Sequence, residues 1–421
     1  MKKMKLSLNL TILLCLMLAS CGSNTEPDLK DGMQSANVET RAGGASQKTY
    51  TLPQASLISK EFLFGTGMAL NPAVTTIRSK KTSLSANLVS DTVAFVFNYP
   101  NDGGFAVVVN DRRITPIIAY SKKGKLDTSN PYVQTLFLDN IESYLSRLDE
   151  NGESAVFPNF KPQKKPVRHL VIDPMITAEV GCLSPFDSKI IEKYPKQNGV
   201  HPAIVAVTTI AGYELESLTY NNYQYSFPWI YEALTVGPDY GLYNQQEEGL
   251  DLNFVAPPVS FLRTYKGAVS AMSQLFLDHS EQCNVFKSDE PVNGLIWLSL
   301  LAYMSKLNMN YDRMGGARDV ESFITLLSND NLAMGSCSLR SGSGAPSNWP
   351  ERVYPYCFVV DGIDAYLNSD NSFANALLHC RWGLNGLADG YYNAATLYEN
   401  EILTPGPVLQ YWALTPISDK N

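Results

Sequence analysis

Positive charge is scarce in this sequence. Over 421 residues, 33 lysines and arginines stand against 41 aspartates and glutamates, a formal net charge of -8. A polyanion would be repelled, which excludes nucleic acid as a partner. Histidine is rarer still, with four in the chain. No CxxC pair and no His-rich cluster occurs, so neither a metal site nor a cofactor is expected. Long apolar runs are missing beyond the amino terminus. The stretch "GLIWLSLLAYMSKLNMNY", 294–311, is apolar enough for a core helix, but Lys306 and its polar neighbours argue against a membrane span. The Gly/Ser/Pro stretch 335–351 lacks the lysine and following helix of a phosphate-binding loop and reads as a surface loop.

What is present is ordinary globular chemistry, 45% hydrophobic and 18% charged, enough for two domains. The amino terminus is a targeting segment. Lys2, Lys3 and Lys5 form a positive region, and "LSLNLTILLCLML" is an apolar stretch too short for a comfortable span. "LASC", Leu18 to Cys21, resembles the lipobox of bacterial lipoproteins. That resemblance implies cleavage after residue 20, lipidation of Cys21, and an exported protein held at the outer membrane or cell surface. Residues 21–47 then read as a flexible tether, polar, Gly/Ser-rich and without apolar periodicity. The five cysteines beyond the anchor, Cys182, Cys283, Cys337, Cys357 and Cys380, are odd in number and irregular in spacing, which does not describe a disulfide framework.

Residues 48–150 read as a small α+β unit. "SLISKEFL" has helical spacing, and "TVAFVFN" and "FAVVVN" are β-branched and aromatic runs joined by the turn "YPNDGG", a hairpin. "TPIIAYS" supplies another strand. A helix follows Asn130, with Pro131 in its first turn and Val133, Phe137, Ile141, Leu145 and Leu148 along one face. Within this unit "GGFAVVVNDRRITPIIAYSKKGKLD" resembles the propeptide of streptopain-like cysteine peptidases, a segment that covers the active site of its own enzyme and has inhibitor relatives. Residues 151–176 are expected to be an irregular linker, with Pro162, Pro166, Pro174, Lys164, Lys165 and Arg168 against regular structure.

Residues 177–421 resemble the peptidase domain of the same family at four places, in the family's order. These are "TAEVGCLSPFD", "HPAIVAVTTIAGY", "YPYCFVVDGIDAY" and "LLHCRWGLNGLADGYYN". The resemblance implies a papain-like fold, so the whole chain is expected to be α+β, a propeptide-like unit followed by a papain-like domain. Papain-type chemistry needs a thiolate at a helix amino terminus, a proton-shuttling histidine, a polar group orienting it and oxyanion donors. Carried over residue by residue, the nucleophile position falls on Ile204, or on Pro202 if the helix is anchored at Tyr213. The oxyanion glutamine falls on Cys182, the histidine on Tyr356, and the orienting asparagine on Arg381. The two tryptophans of the pattern other than Trp382 fall on Val180 and Leu384. Scaffold residues persist at Pro185, Phe186, Asp361, Gly362, Trp382, Gly383, Gly386, Gly390, Tyr391 and Tyr392.

No residue at the catalytic positions performs the family's chemistry, so none is assigned as catalytic. Cys182, His201, Ile204, Tyr356, Cys357, Arg381 and Trp382 are expected to line the former cleft. The expected function is that of a pseudopeptidase that binds peptide or protein, with a related protease among the partner classes. The alternative is an active secreted cysteine endopeptidase with a rearranged Cys-His pair drawn from Cys182, Cys357 and His201. His379, in an apolar strand-like run, reads as a packing or locally hydrogen-bonded residue.

Overall fold

The computed structural model describes residues 49–65, 70–79, 91–130, 133–138, 141–142, 144–145, 168–197, 199–220, 223–237, 264–283, 285, 303–304, 306–314, 320–339, 354–369, 373–394, 397 and 408–416. Cys21, the leader and the tether lie outside them, as does Leu148.

The fold is α+β. Helix α1 (Leu52–Phe64) precedes strands β1 (Ala73–Arg78), β2 (Thr92–Asn98), β3 (Phe105–Val109) and β4 (Ile117–Ser121). The hairpin of β2 and β3 forms as its sequence predicts. Its turn places Asn101, Asp102 and Gly104 at positive φ, the left-handed region that short polar residues and glycine tolerate best. A side chain on Gly104 would lie 2.0 Å from the Ser121 carbonyl oxygen, so glycine also lets β4 approach. β3 and β4 are buried throughout, because each face has its own cover. Phe95, Phe97, Ala106, Val108 and Ile117 pack toward Ala55 of α1, and Val96, Phe105, Val107 and Val109 face the opposite core. Val133, Phe137, Ile141 and Leu145 are all buried there, on the face their spacing predicts; residues 134–138 take π-helical form.

The second part supplies helices α2 (Ser188–Lys193), α3 (Pro202–Leu215), α4 (Phe227–Val236), α5 (Tyr265–Gln282) and α6 (Val320–Ser328). Its strands are β5 (Arg168–Ile172), β6 (Ser217–Tyr220), β7 (Tyr223–Ser226), β8 (Met309–Arg313), β9 (Leu332–Leu339), β10 (Tyr354–Leu367), β11 (Phe373–Arg381), β12 (Gly390–Asn393) and β13 (Val408–Pro416). One 11-stranded antiparallel sheet runs β1-β2-β3-β4-β12-β11-β10-β9-β13-β8, with β5 paired to β10; β6 and β7 form a separate hairpin. Helix α3 packs on β9, β10 and β13. β10 shows why the two faces differ. Cys357 and Val359 enter the core beneath α3, α4 and α5, while Phe358 and Val360 enter the core shared with β2 and β3.

Two stretches differ from expectation. The carboxyl end of the linker is not irregular: Arg168 to Ile172 form β5, antiparallel to Ile363–Leu367 of β10. Pro174 falls outside that strand, and the strand residues alternate, with Leu170 and Ile172 packed on the core and Val171 exposed. The loop expected from Gly335 begins instead as part of β9, up to Leu339. A Cβ on Gly335 would lie 2.2 Å from the Phe358 ring, so this glycine makes room for an aromatic on the adjacent strand.

Candidate functional site

The buried helix α3 starts at Pro202, which suits the first helical position. Before it, His201 in extended conformation caps the helix. Its Nδ1 accepts a hydrogen bond from the Ala203 amide at 3.1 Å. Burial pulls this imidazole down to about 4, so it is neutral at physiological pH. Pro202, Val205, Ala206 and Thr209 of α3 face Cys357, Phe358 and Val359 of β10, with Ala178, Val180, Arg381 and Gly383 completing the lining. The cavity they enclose has a volume of about 10 Å³, close to one water by the same measure. A peptide side chain does not fit.

Of the residues expected in the cleft, Cys357 and Arg381 line it, and Cys182 lies beside it. Its sulfur would be 3.6 Å from a Cβ on Gly383, and its amide donates to the Gly383 carbonyl at 2.7 Å. Two others belong elsewhere. Ile204 is buried within the helical core, and the competing position, Pro202, is the one on the cavity. Trp382 turns to the opposite core, against Phe358 and edge-on to Tyr392. For Tyr356 the described backbone pairs with Cys337 of β9; its side chain is outside the described set.

The thiols are held protonated. Burial pushes Cys182 up to about 12, with Asp187 adding to the shift, and raises Cys357 further. Cys283 and Cys380 are also free, buried and raised by desolvation. Among the described residues no hydrogen bond joins a thiol to an imidazole. His201 caps α3, His279 meets the Thr208 hydroxyl at 2.6 Å, and His169 and His379 each meet a carboxylate. No described group of three or more His, Cys, Asp or Glu side chains has the arrangement of a metal site.

A charged network surrounds Arg381, the one charged residue among the described residues of the cavity lining. A β-bulge in β10 places Val360 opposite Cys380 and Gly362 opposite His379, leaving Asp361 as the extra residue. The carboxylate of Asp361, fully buried, meets His379 Nδ1 at 2.5 Å and accepts from the Ile176 amide at 3.2 Å. Arg381 lies 3.7 Å from Asp361 and 3.6 Å from Asp389, and its guanidinium donates to the carbonyls of Ile176 and Ala178. Burial raises the Asp389 carboxyl, and Arg381 and His379 pull it back. Arg381 is thus committed to four partners. His379 makes the local hydrogen bond expected of it, though to an acid 18 residues away in sequence rather than a neighbour.

A second carboxylate on β10 is also paired. Asp364 accepts from the Tyr120 hydroxyl at 2.6 Å and meets His169 Nε2 at 2.6 Å. Sequence reading missed this trio. Its one signal was an aspartate inside an apolar strand, which requires a partner when buried.

Comparison with known proteins agrees with the first segment. Residues 48–144 match the Spi protease inhibitor family. This Spi-like segment contains α1, β1–β4 and the helical residues after Asn130. A solved fragment of prointerpain A from Prevotella intermedia, in mutant form, aligns at 14% identity and a TM-score of 0.43, over 81% of this chain and 98% of that one. No curated protein matches the sequence.

Proposed function

We propose that this chain is an exported, lipid-anchored relative of streptopain-like peptidases that has no peptidase activity and acts by binding peptide or protein. One observation carries the reading: the cleft between α3 and β10 holds Pro202, Val205 and an arginine saturated by carbonyls and carboxylates, and no thiol there is paired with an imidazole. A papain-type reaction needs a thiolate and a proton acceptor within hydrogen-bond reach of each other. A buried thiol at about 12 beside an apolar helix start supplies neither. The match of the first segment to an inhibitor family favours a protease as the class of partner.

The test is intact-mass analysis of residues 22–421 after incubation with an epoxide inhibitor of papain-like peptidases, beside a casein cleavage assay. No adduct and no cleavage are expected. A stoichiometric adduct on Cys182 or Cys357 together with cleavage would overturn the reading. The anchor rests on the leader and on Cys21, and metabolic labelling with a clickable fatty acid is expected to mark the wild type and not Cys21→Ser.

A further inference from the structure

The two parts of the chain do not merely touch. β4 continues the sheet onto β12, with Tyr120 opposite Tyr391 and Ala119 opposite Tyr392. Gly390 leaves room for this, since a Cβ there would lie 2.6 Å from the Tyr120 carbonyl oxygen. The core beneath is shared. Tyr392, fully buried, is bracketed edge-on by Phe137 at 4.8 Å from the first part and by Trp382 at 5.2 Å from the second, with Phe105 at 6.2 Å. On the other face Tyr120 stacks on Tyr391 at 4.9 Å. Asp364 then joins three pieces of chain, the Tyr120 hydroxyl from the Spi-like segment and His169 from β5 both meeting its carboxylate. Two turns meet as well, with the Ala388 amide donating to the Lys125 carbonyl at 3.2 Å.

We propose that the edge of β12, with Tyr391, Tyr392 and Asp364, is a receptor surface whose occupant is the chain's own Spi-like segment. The segment is a permanent structural half of the protein and not a removable one. It stays bound when the linker is cut, and the β4 edge it uses is not free to pair with a separate peptidase. The aromatic contacts and the backbone ladder require no covalent connection to persist, because both are buried and neither uses residues between 146 and 167. This narrows the partner reading above: a protease bound by this chain would have to engage another surface.

The experiment inserts a recognition sequence for a site-specific protease between residues 150 and 163 of the soluble chain, cuts it to completion, and follows the products by native mass spectrometry and size-exclusion chromatography. The two pieces are expected to remain a 1:1 complex without denaturant. Separation of the pieces, whether folded or not, would overturn the proposal. Tyr120→Phe in the cut protein removes one hydroxyl and no packing, and is expected to speed dissociation by about tenfold or more, the scale of a lost hydrogen bond to a charged group. An unchanged rate would remove Asp364 from the receptor surface. The result is independent of the reading of inactivity, which the epoxide and casein assays decide separately.

Discussion

At the scale of the residue, Arg381 is the clearest case of a side chain whose surroundings define its role. Its charge is nearly buried, and it faces two carboxylates and two carbonyl oxygens. Replacing it with Met would leave Asp361 and Asp389 without their cation. Breaking a buried pair by removing one partner typically costs about 3–5 kcal/mol, so Arg381→Met is expected to lower stability by that order in urea unfolding. Arg381→Lys should lose less, since an ammonium keeps the charge but not the fork that reaches two carbonyls. Mass-spectrometric thiol labelling of the native protein is expected to leave Cys182 and Cys357 unmodified on the timescale that labels the urea-unfolded chain.

His279 gives a pH prediction at the same scale. It is buried between α3 and α5, with Nδ1 on Thr208 and no partner for Nε2 among the described residues, and desolvation pulls its pKa down to about 3. The unfolded chain takes up the proton near pH 6.5 while the folded chain refuses it, so this residue's effect is neutral above that pH. Stability is lost as pH falls from about 6.5 toward 3, at about 1.4 kcal/mol per pH unit. Asp278 next to it works the other way, because burial raises its carboxyl to about 6 and the folded state binds its proton first. The two are separated by difference. Between pH 6.5 and 5, His279→Gln should lose about 2 kcal/mol less than wild type, and equal losses would show that the imidazole is protonated in the fold.

At the scale of the element, the periodic segments were legible and their partners were not. The β-branched and aromatic runs "TVAFVFN" and "FAVVVN" with the turn between them gave strands and hairpin, and the 3.6-residue spacing after Asn130 gave the helix face, since these signals are local to the backbone. β5 was hidden because its neighbourhood is rich in proline and lysine. A five-residue strand is stabilised by the strand beside it, and β10 lies 191 residues further on by the Ile172–Ile363 pairing. Gly335 was read as loop chemistry for a similar reason: the ring of Phe358 that requires it is on another strand. The tightest junction between elements is at Gly390. Gly390→Ala places a methyl 2.6 Å from backbone and is expected to cost about 1–3 kcal/mol in urea unfolding by forcing β12 away from β4.

At the scale of the whole molecule, one sheet and one shared core join what the sequence divides at the linker. Val96, Phe105 and Phe137 belong to the same packed cluster as Phe358, Trp382 and Tyr392. Near-ultraviolet circular dichroism, which sees the tyrosines of both parts, and tryptophan fluorescence, which sees only the second part, are therefore expected to report one coincident urea transition, because the aromatics of both parts bury each other. A biphasic transition would show two cores.

The sequence by itself determined the local periods that follow from backbone repeat, since these need no partner from elsewhere in the chain. Only the tertiary structure decided which distant residues gather around the carboxylates of β10. The Asp361 bulge brings together His379, Arg381 and the 176–178 backbone, and Asp364 gathers Tyr120 and His169 from 244 and 195 residues away. Buried charges must find partners wherever the fold brings them, and for these residues that is far along the chain.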